Sequence, residues 1–180
     1  MEIYDLSLGA LFYRDPISSP EDIHEIFDLD KNALNFKNFI KTIIAKGGND
    51  WPEDWAGAFN LAKNLSWGKD SIKFFIHIAD APGHGYDWNE NDIYPEEGNK
   101  TDEIIAYFAK NNFNIAGFKV NNSSSLSFLR AQNIFRNNGN KNYFIKDFSV
   151  RDNSDKDYLL DLVYYSFQNI FIDDVEIIKR

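Results

Sequence analysis

Three short segments of the sequence place acidic residues, together with one histidine, where predicted strands end or predicted helices begin. They are Tyr13–Asp15, Gly47–Asp54 and Asp80–Gly85. Clustered carboxylates repel one another unless a cation or a proton shares the site. Oxygen ligands with a single imidazole nearby favour a hard divalent ion such as Mg²⁺, Mn²⁺ or Ca²⁺. The candidate metal ligands and binding groups are Asp15, Asn49, Asp50, Glu53, Asp80 and His84.

Each of these candidates also has a plainer structural explanation. Asp50 is a good helix N-cap, and Glu53 three residues later fits a capping box. A loop histidine such as His84 is usually neither a ligand nor a base. Asp80 is harder to explain in this way, because a carboxylate that ends a buried central strand lies at the edge where α/β sheets bind ligands.

No motif in the sequence indicates catalysis. A P-loop, a Gly-x-Gly-x-x-Gly after a strand and a Gly-x-Ser-x-Gly are all absent. We therefore predict no catalytic residue. His77 lies inside a predicted strand and is expected in the core, and His24 is expected at the surface. Trp51 and Trp55 are expected to pack in the core and not to form a ligand platform.

Hydrophobic periodicity predicts the elements that carry these segments. Strands are predicted at residues 6–13, 22–28, 72–79, 115–120 and 143–150. Helices are predicted at residues 32–45, 101–110, 125–135 and 157–171, and a further helix opens at residues 49–54 with Pro52 in its first turn. Residues 172–180 fit either a short strand or a tail.

The order of these elements predicts an α/β fold. The nearly continuous apolar run at residues 72–79 is typical of a central parallel strand that helices cover on both faces. After an opening pair of strands, helix and strand alternate, which indicates a doubly wound, mostly parallel sheet flanked by helices. The three acidic segments should then meet beyond the carboxyl ends of the strands.

Composition limits the class of protein. The 180 residues carry a net charge of -9, with 43% hydrophobic residues and no cysteine. This length suits a single domain over residues 1–180. The acidic balance argues against nucleic acid as a partner, and the lack of cysteine excludes disulfides and thiol-based metal sites. No apolar run reaches roughly 18 residues and no signal peptide is evident, so we expect a cytoplasmic protein that does not bind a membrane.

The combination of the three segments resembles a known family. Tyr13–Asp15, then Gly47–Asp50 with Pro52–Asp54, then Ile76–Pro82 with His84 and Gly85, is similar to the von Willebrand factor A-like (vWA) domains linked to α-type protein kinases in protists. The resemblance implies a Rossmann-like, six-stranded sheet between helices with a metal-ion-dependent adhesion site at its top. Carried over by position, that site's second element falls on Asn49 and Asp50, and its third element falls on Asp80.

The first element of the adhesion site, Asp-x-Ser-x-Ser, has no full counterpart. Asp5-Leu6-Ser7 has its first two positions but runs directly into a predicted strand. We therefore expect the family's first strand, which lies in the middle of its sheet, to be missing, and Mg²⁺, Mn²⁺ or Ca²⁺ to bind weakly. Residues 170–178, a partner chain or a longer parent protein are the candidates to fill that place.

Three functions are compatible with these features. The leading hypothesis is a non-enzymatic protein-interaction module with a degenerate metal site. The second is a degenerate structural fragment of a larger kinase-linked or multidomain protein. The third is a metal-assisted hydrolase in which Asp15, Asp50 and Asp80 are ligands and His84 is the base. The identity of the protein partner and the oligomeric state stay open.

Overall fold

A computed structural model describes residues 5–15, 24–45, 50–90, 92 and 96–148. The chain divides into two compact units. The first contains residues 1–71 and 83–104, and the second contains residues 72–82 and 105–180. None of the described helices combines the length and the apolar character that a membrane-spanning helix needs.

The first unit begins with an antiparallel pair of strands. β1 (Leu8–Tyr13) pairs with β2 (His24–Asp30), and Tyr13 lies opposite His24. All six residues of β1 are half-buried, although the largely apolar run at residues 6–13 predicts a buried strand. A two-stranded sheet has two open edges, which leaves its strands more accessible than those of a larger sheet.

The helix that follows is shorter than the sequence predicts. α1 is Ala33–Ile40 and not residues 32–45, and the Asn32 side chain caps its N-terminus. The helix ends at Ile40, and two residues later the Thr42 hydroxyl donates to the Phe39 carbonyl at 2.7 Å. Such local bonds from threonine, followed here by two β-branched isoleucines, disfavour further helix.

A second helix carries most of the apolar core of the first unit. α2 is Trp55–Lys63, and it buries Trp55, Ala58, Phe59 and Ala62. Its N-cap is Asp54, whose carboxylate accepts from the Gly57 amide at 2.7 Å. The predicted capping role of Asp50 and the predicted place of Pro52 in the first turn are therefore wrong, because the helix begins later.

The second unit contains a three-stranded parallel sheet. Its strands are β3 (Phe74–Ala79), β4 (Asn114–Lys119) and β5 (Tyr143–Asp147), in the order β3-β4-β5. The connecting helices are α3 (Glu97–Lys110), whose first residues belong to the first unit, and α4 (Ser125–Asn137), which follows a 3-10 turn at Asn122–Ser124. The fold is thus mixed α/β with a parallel sheet flanked by helices, as the sequence predicts at that level.

Aromatic side chains fill the space between this sheet and its helices. Phe75 of β3 packs against Phe108 of α3, and His77 packs against Phe128 of α4. Gly117 of β4 allows the close approach, since a Cβ there would lie 2.7 Å from the Phe128 ring. His77 is buried, which confirms its predicted place in the core.

The opposite face of β3 departs from the prediction. Ile76 is 37% exposed and Ile78 is 45% exposed, although the apolar run predicts burial on both faces. The side chains of a strand alternate between the two faces of a sheet. The aromatic rings of α3 and α4 contact the face that carries Phe75 and His77, so the isoleucines point away from these helices.

Several predictions lie outside the described residues. These are Asn49, the Gly47-Gly48 turn, the C-terminal helix at residues 157–171 and the segment 172–180. The extent of the single predicted domain and the presence of a six-stranded vWA sheet also stay predictions. Among the described strands, the sheets have two and three members.

Candidate metal centre

Three loops of the first unit bring Asp15, Asp50 and His84 together. Asp15 follows β1 by two residues, Asp50 lies on the loop before α2, and His84 stands in the turn after Gly83. A parallel backbone bridge between Glu53 and Gly83 joins the second loop to the third. Glycine suits that bridge, because a Cβ on Gly83 would lie 3.1 Å from the ring of Trp55, a tight contact to which the ring would have to adjust.

The three side chains form a group of metal-ligating size. One ligand atom from each of Asp15, Asp50 and His84 lies within 4.8 Å of the other two. The distance between His84 Nε2 and Asp15 Oδ1 is 3.9 Å, and the Asp50 backbone amide donates to Asp15 Oδ2 at 3.0 Å. Asp15 and His84 are buried, whereas Asp50 is half-buried and forms the solvent side of the group.

A fourth residue, Asp92, orients the histidine. Asp92 Oδ1 lies 2.9 Å from His84 Nδ1, and Asp92 Oδ2 accepts a hydrogen bond from the Gly85 amide. A carboxylate acceptor at Nδ1 favours a proton on that nitrogen, which leaves Nε2, the ring atom nearest Asp15, as the nitrogen that could hold a metal ion. The turn needs glycine, since Gly85 has a φ of 114° and a Cβ there would meet the backbone of Gly98.

The electrostatics of the group favour an added positive charge. The pKa of Asp50 is raised to about 6, chiefly by burial and then by hydrogen bonding to Asp15 and by the negative charge of Asp15. The charge of Asp92 also raises it, while His84 acts in the opposite direction. Asp50 Oδ1 is buried and has no hydrogen-bond partner among the described residues. Three carboxylates around one imidazole are stabilised by a proton or by a cation.

Glu53 and Asp80, two further predicted site residues that the structure describes, are not members of this group of ligands. Glu53 is half-buried, and its carbonyl accepts from the Trp55 amide at 2.8 Å. Asp80 directly follows β3 in the second unit, is exposed, and its carbonyl accepts from the Ser123 hydroxyl at 2.6 Å. The structure therefore groups Asp50 with Asp15 and His84, which were predicted as binding residues, and the roles of Asp80 and Asn49 as metal ligands stay predictions.

Sequence reasoning missed Asp92 and misjudged Trp51. Asp92 lies in the polar segment between residues 86 and 99, where no periodicity distinguishes one acidic residue from another. Trp51 is 57% exposed, so its predicted place in the core is wrong, whereas Trp55 is fully buried as predicted. His24, expected at the surface, is half-buried, and its Nε2 lies 3.0 Å from Asp54 Oδ2.

One curated protein is similar to part of this chain. The alpha-protein kinase vwkA of Dictyostelium discoideum is 32% identical over 114 residues, which is 61% of this chain and 18% of that protein. The chain thus matches less than a fifth of the length of this relative. No family model and no solved structure matches the chain.

Proposed function

We propose that this chain is a vWA-like protein-interaction module that contacts its partner through a divalent cation held by Asp15, Asp50 and His84. The observation that carries the proposal is the convergence of two carboxylates and an oriented imidazole from three separate loops. Burying such groups side by side is costly unless a cation compensates their charge. A binding function that uses a cation would explain why these two carboxylates and the imidazole lie together.

Two further observations support the vWA-like character. The partial match to a kinase that takes its name from such a domain agrees with the resemblance of the loops. In the part of the chain that the structure describes, the strands fall into the groups β1-β2 and β3-β4-β5. The parallel group β3-β4-β5, with helices as its connections, is the arrangement that a Rossmann-like vWA fold requires.

The ligand set also suggests how a partner would be bound. Three protein ligands leave at least one coordination position of a divalent ion open. Asp50 lies on the solvent side of the group, so a carboxylate from a partner protein is the ligand that we expect at that position. Mg²⁺, Mn²⁺ and Ca²⁺ are the ions that the sequence predicts for this role.

The same geometry argues for binding and against hydrolysis. A general base needs a ring nitrogen that is free to take a proton from water. His84 Nδ1 lies 2.9 Å from Asp92 and Nε2 lies 3.9 Å from the carboxylate of Asp15, so an ion bound between Nε2 and Asp15 would occupy the lone pair that a base needs. Turnover in phosphatase or esterase assays with Mn²⁺ would contradict this assignment.

The first test is thermal unfolding of untagged protein in EDTA and then in excess divalent ion. A ligand that binds only the native state adds about 2.7 kcal/mol at a hundred times its Kd. Tryptophan fluorescence is a suitable probe, because Trp51, Trp55, Trp67 and Trp88 all lie in the first unit with the site. We expect a metal-dependent rise in the melting temperature for the wild type.

Matched variants decide whether the rise comes from this site. Asp50→Asn should remove the metal response, and Asp70→Asn, at an exposed aspartate of the same unit, should keep it. Partner capture is tested with immobilised glutamate-containing peptides and their glutamine counterparts. Retention of the wild type that needs both metal and glutamate supports the proposal, and equal retention on both peptide sets contradicts it.

A further inference from the structure

We infer that the site selects a transition-type divalent ion, Zn²⁺ first and Mn²⁺ second, over Mg²⁺ and Ca²⁺, with His84 as a nitrogen ligand and Asp92 as its positioning residue. This inference rests on the metal site of the proposed function and specifies the ion for it. The sequence alone predicts oxygen ligands with one imidazole nearby and therefore a hard ion, because it does not show that a ring nitrogen of His84 faces the carboxylates.

The first argument is the nitrogen ligand. His84 Nε2 is the ring atom nearest the carboxylate of Asp15, and Asp92 holds the opposite nitrogen at 2.9 Å. A carboxylate–histidine pair of this kind orients the ring and raises the basicity of the ligating nitrogen. Imidazole suits Zn²⁺ and its neighbours in the transition series, whereas Mg²⁺ and Ca²⁺ take oxygen ligands almost entirely.

The second argument is distance. Two ligands at 2.0 to 2.2 Å from one four-coordinate ion lie roughly 3.4 Å apart, and about 4.4 Å is the limit for any geometry. The 3.9 Å between His84 Nε2 and Asp15 Oδ1 is within that limit and is longer than a hydrogen bond. Asp50 reaches the same ion with a small movement, because its ligand atom lies within 4.8 Å of the other two.

The third argument is burial. The side chain of Asp15 is 0% exposed and that of His84 is 3% exposed, so these two ligands meet in a space that bulk water hardly reaches. Mg²⁺ usually keeps several of its waters, and Ca²⁺ requires six to eight oxygen ligands. A four-coordinate ion with three protein ligands and one open position needs far less room.

The fourth argument is the unsatisfied oxygen of Asp50. Asp50 Oδ1 is buried and lacks a hydrogen-bond partner among the described residues. Buried carboxylate oxygens are normally paired with a donor or a metal. An ion between Asp50, Asp15 and His84 would satisfy this oxygen, and its charge would offset those of the two carboxylates.

The test is a metal titration of the chelator-treated, untagged protein by calorimetry with Zn²⁺, Mn²⁺, Mg²⁺ and Ca²⁺ in turn. We expect Zn²⁺ to bind at least about tenfold more tightly than Mn²⁺, and Mg²⁺ and Ca²⁺ to bind more weakly than either. Co²⁺ serves as a spectroscopic probe, because a four-coordinate site absorbs visible light much more strongly than a six-coordinate one.

Variants separate the ligand from its positioning residue. His84→Gln should lower Zn²⁺ affinity by more than about a hundredfold and weaken the Co²⁺ spectrum. Asp92→Asn should lower the affinity by about 10- to 100-fold, as loss of such an outer partner typically does. His24→Gln is the matched control, since His24 also faces a carboxylate in the first unit. The Zn²⁺ affinity of this variant should stay within about twofold of that of the wild type. Circular dichroism of each variant confirms that it is folded.

The outcomes distinguish this inference from the proposed function. Equal or tighter binding of Mg²⁺ or Ca²⁺ overturns the selectivity and leaves the cation-dependent module standing. Zn²⁺ binding that survives His84→Gln but not Asp50→Asn overturns the nitrogen ligand alone. If no ion binds the wild type, or if binding survives Asp50→Asn, both the inference and the metal part of the proposed function are wrong. The wild-type order of ions decides the question even where a variant does not fold.

Discussion

The two units of this protein bury different kinds of side chain. In the second unit the interior consists mainly of aromatic and aliphatic groups such as Phe108, Phe118 and Phe128. Its buried ionisable groups are held neutral, because burial lowers the pKa of His77 to about 3 and raises that of Tyr143. The first unit instead buries Asp15 and His84 beside the core residues Trp55 and Trp88.

This difference supports the proposal that the first unit carries the binding site. Apolar burial is a sufficient reason for the second unit to fold, at about 25 cal/mol per Å² of apolar surface removed from water. The buried carboxylates of the first unit oppose folding unless they are compensated. Trp55 and Trp88 pack edge to face at 5.7 Å, and the Trp88 indole donates to Asp102. The first unit thus has enough apolar packing to tolerate a charged site that its fold does not require.

The largest expected effect is at the apolar core of the second unit. Phe118→Ala should lower the free energy of unfolding by about 3–5 kcal/mol, because it leaves a cavity where Phe118 packs against Ala116, Phe74 and Phe148. Urea unfolding followed by circular dichroism measures the change. Leu129→Ala, at a position of α4 that is 53% exposed, should cost less than about 1 kcal/mol. A similar loss in both variants would contradict the apolar account of this unit.

The next effect is a loss of stability in acid that the buried histidine of β3 causes. The pKa of His77 in the folded protein lies below that of an unfolded histidine, so the unfolded chain binds more protons between about pH 6.5 and pH 3. Stability is therefore lost as the pH falls through this window, by about 1 kcal/mol between pH 6 and pH 5.

The histidine contribution is isolated by difference. Between pH 6 and pH 5, the free energy of unfolding of His77→Leu should fall by about 1 kcal/mol less than that of the wild type. The carboxylates contribute equally in both proteins, so they cancel in the difference. Amide hydrogen exchange in β3 and β4 localises the effect to the second unit. An identical slope of stability against pH in the two proteins would show that His77 does not stay neutral in the fold.

The smallest effect is in the first unit and concerns the start of α2. Asp54→Ala should lower stability by about 1 kcal/mol through loss of the bond to the Gly57 amide, and Asp54→Asn should recover most of it, since asparagine is also a good N-cap. Thermal unfolding followed by tryptophan fluorescence reports on this unit. Recovery should fail if the Asp54 carboxylate acts mainly through its charge on His24, 3.0 Å away.

Elements with strong apolar periodicity were predictable to within a few residues. β3 is Phe74–Ala79 where residues 72–79 were predicted, and α4 begins at Ser125 as predicted. The helix starts and ends were less predictable, because both Asp50 and Asp54 satisfy the chemistry of an N-cap. The choice between them depends on where Trp55 packs, and a local sequence pattern does not contain that information.

The candidate site was predictable residue by residue but not as a group. Asp15, Asp50 and His84 each stand at the boundary of a predicted element, and parallel-sheet logic places such boundaries together. That logic also included Asp80, which the structure assigns to the second unit. Asp92 lies in a polar loop without a periodic signal. Its role depends on its contact with His84, eight residues earlier in the chain.

The sequence by itself determined the alternation of strands and helices, the acidic character of three loops and the absence of cysteine ligands, because these depend on local spacing and composition. The tertiary structure decided which acidic residues meet, that an imidazole lies among them, and that Asp92 orients it. Those contacts depend on how loops 35 residues apart, such as those of Asp15 and Asp50, are brought into hydrogen-bond distance. Local periodicity carries no record of such distances, because they depend on contacts between residues far apart in the chain.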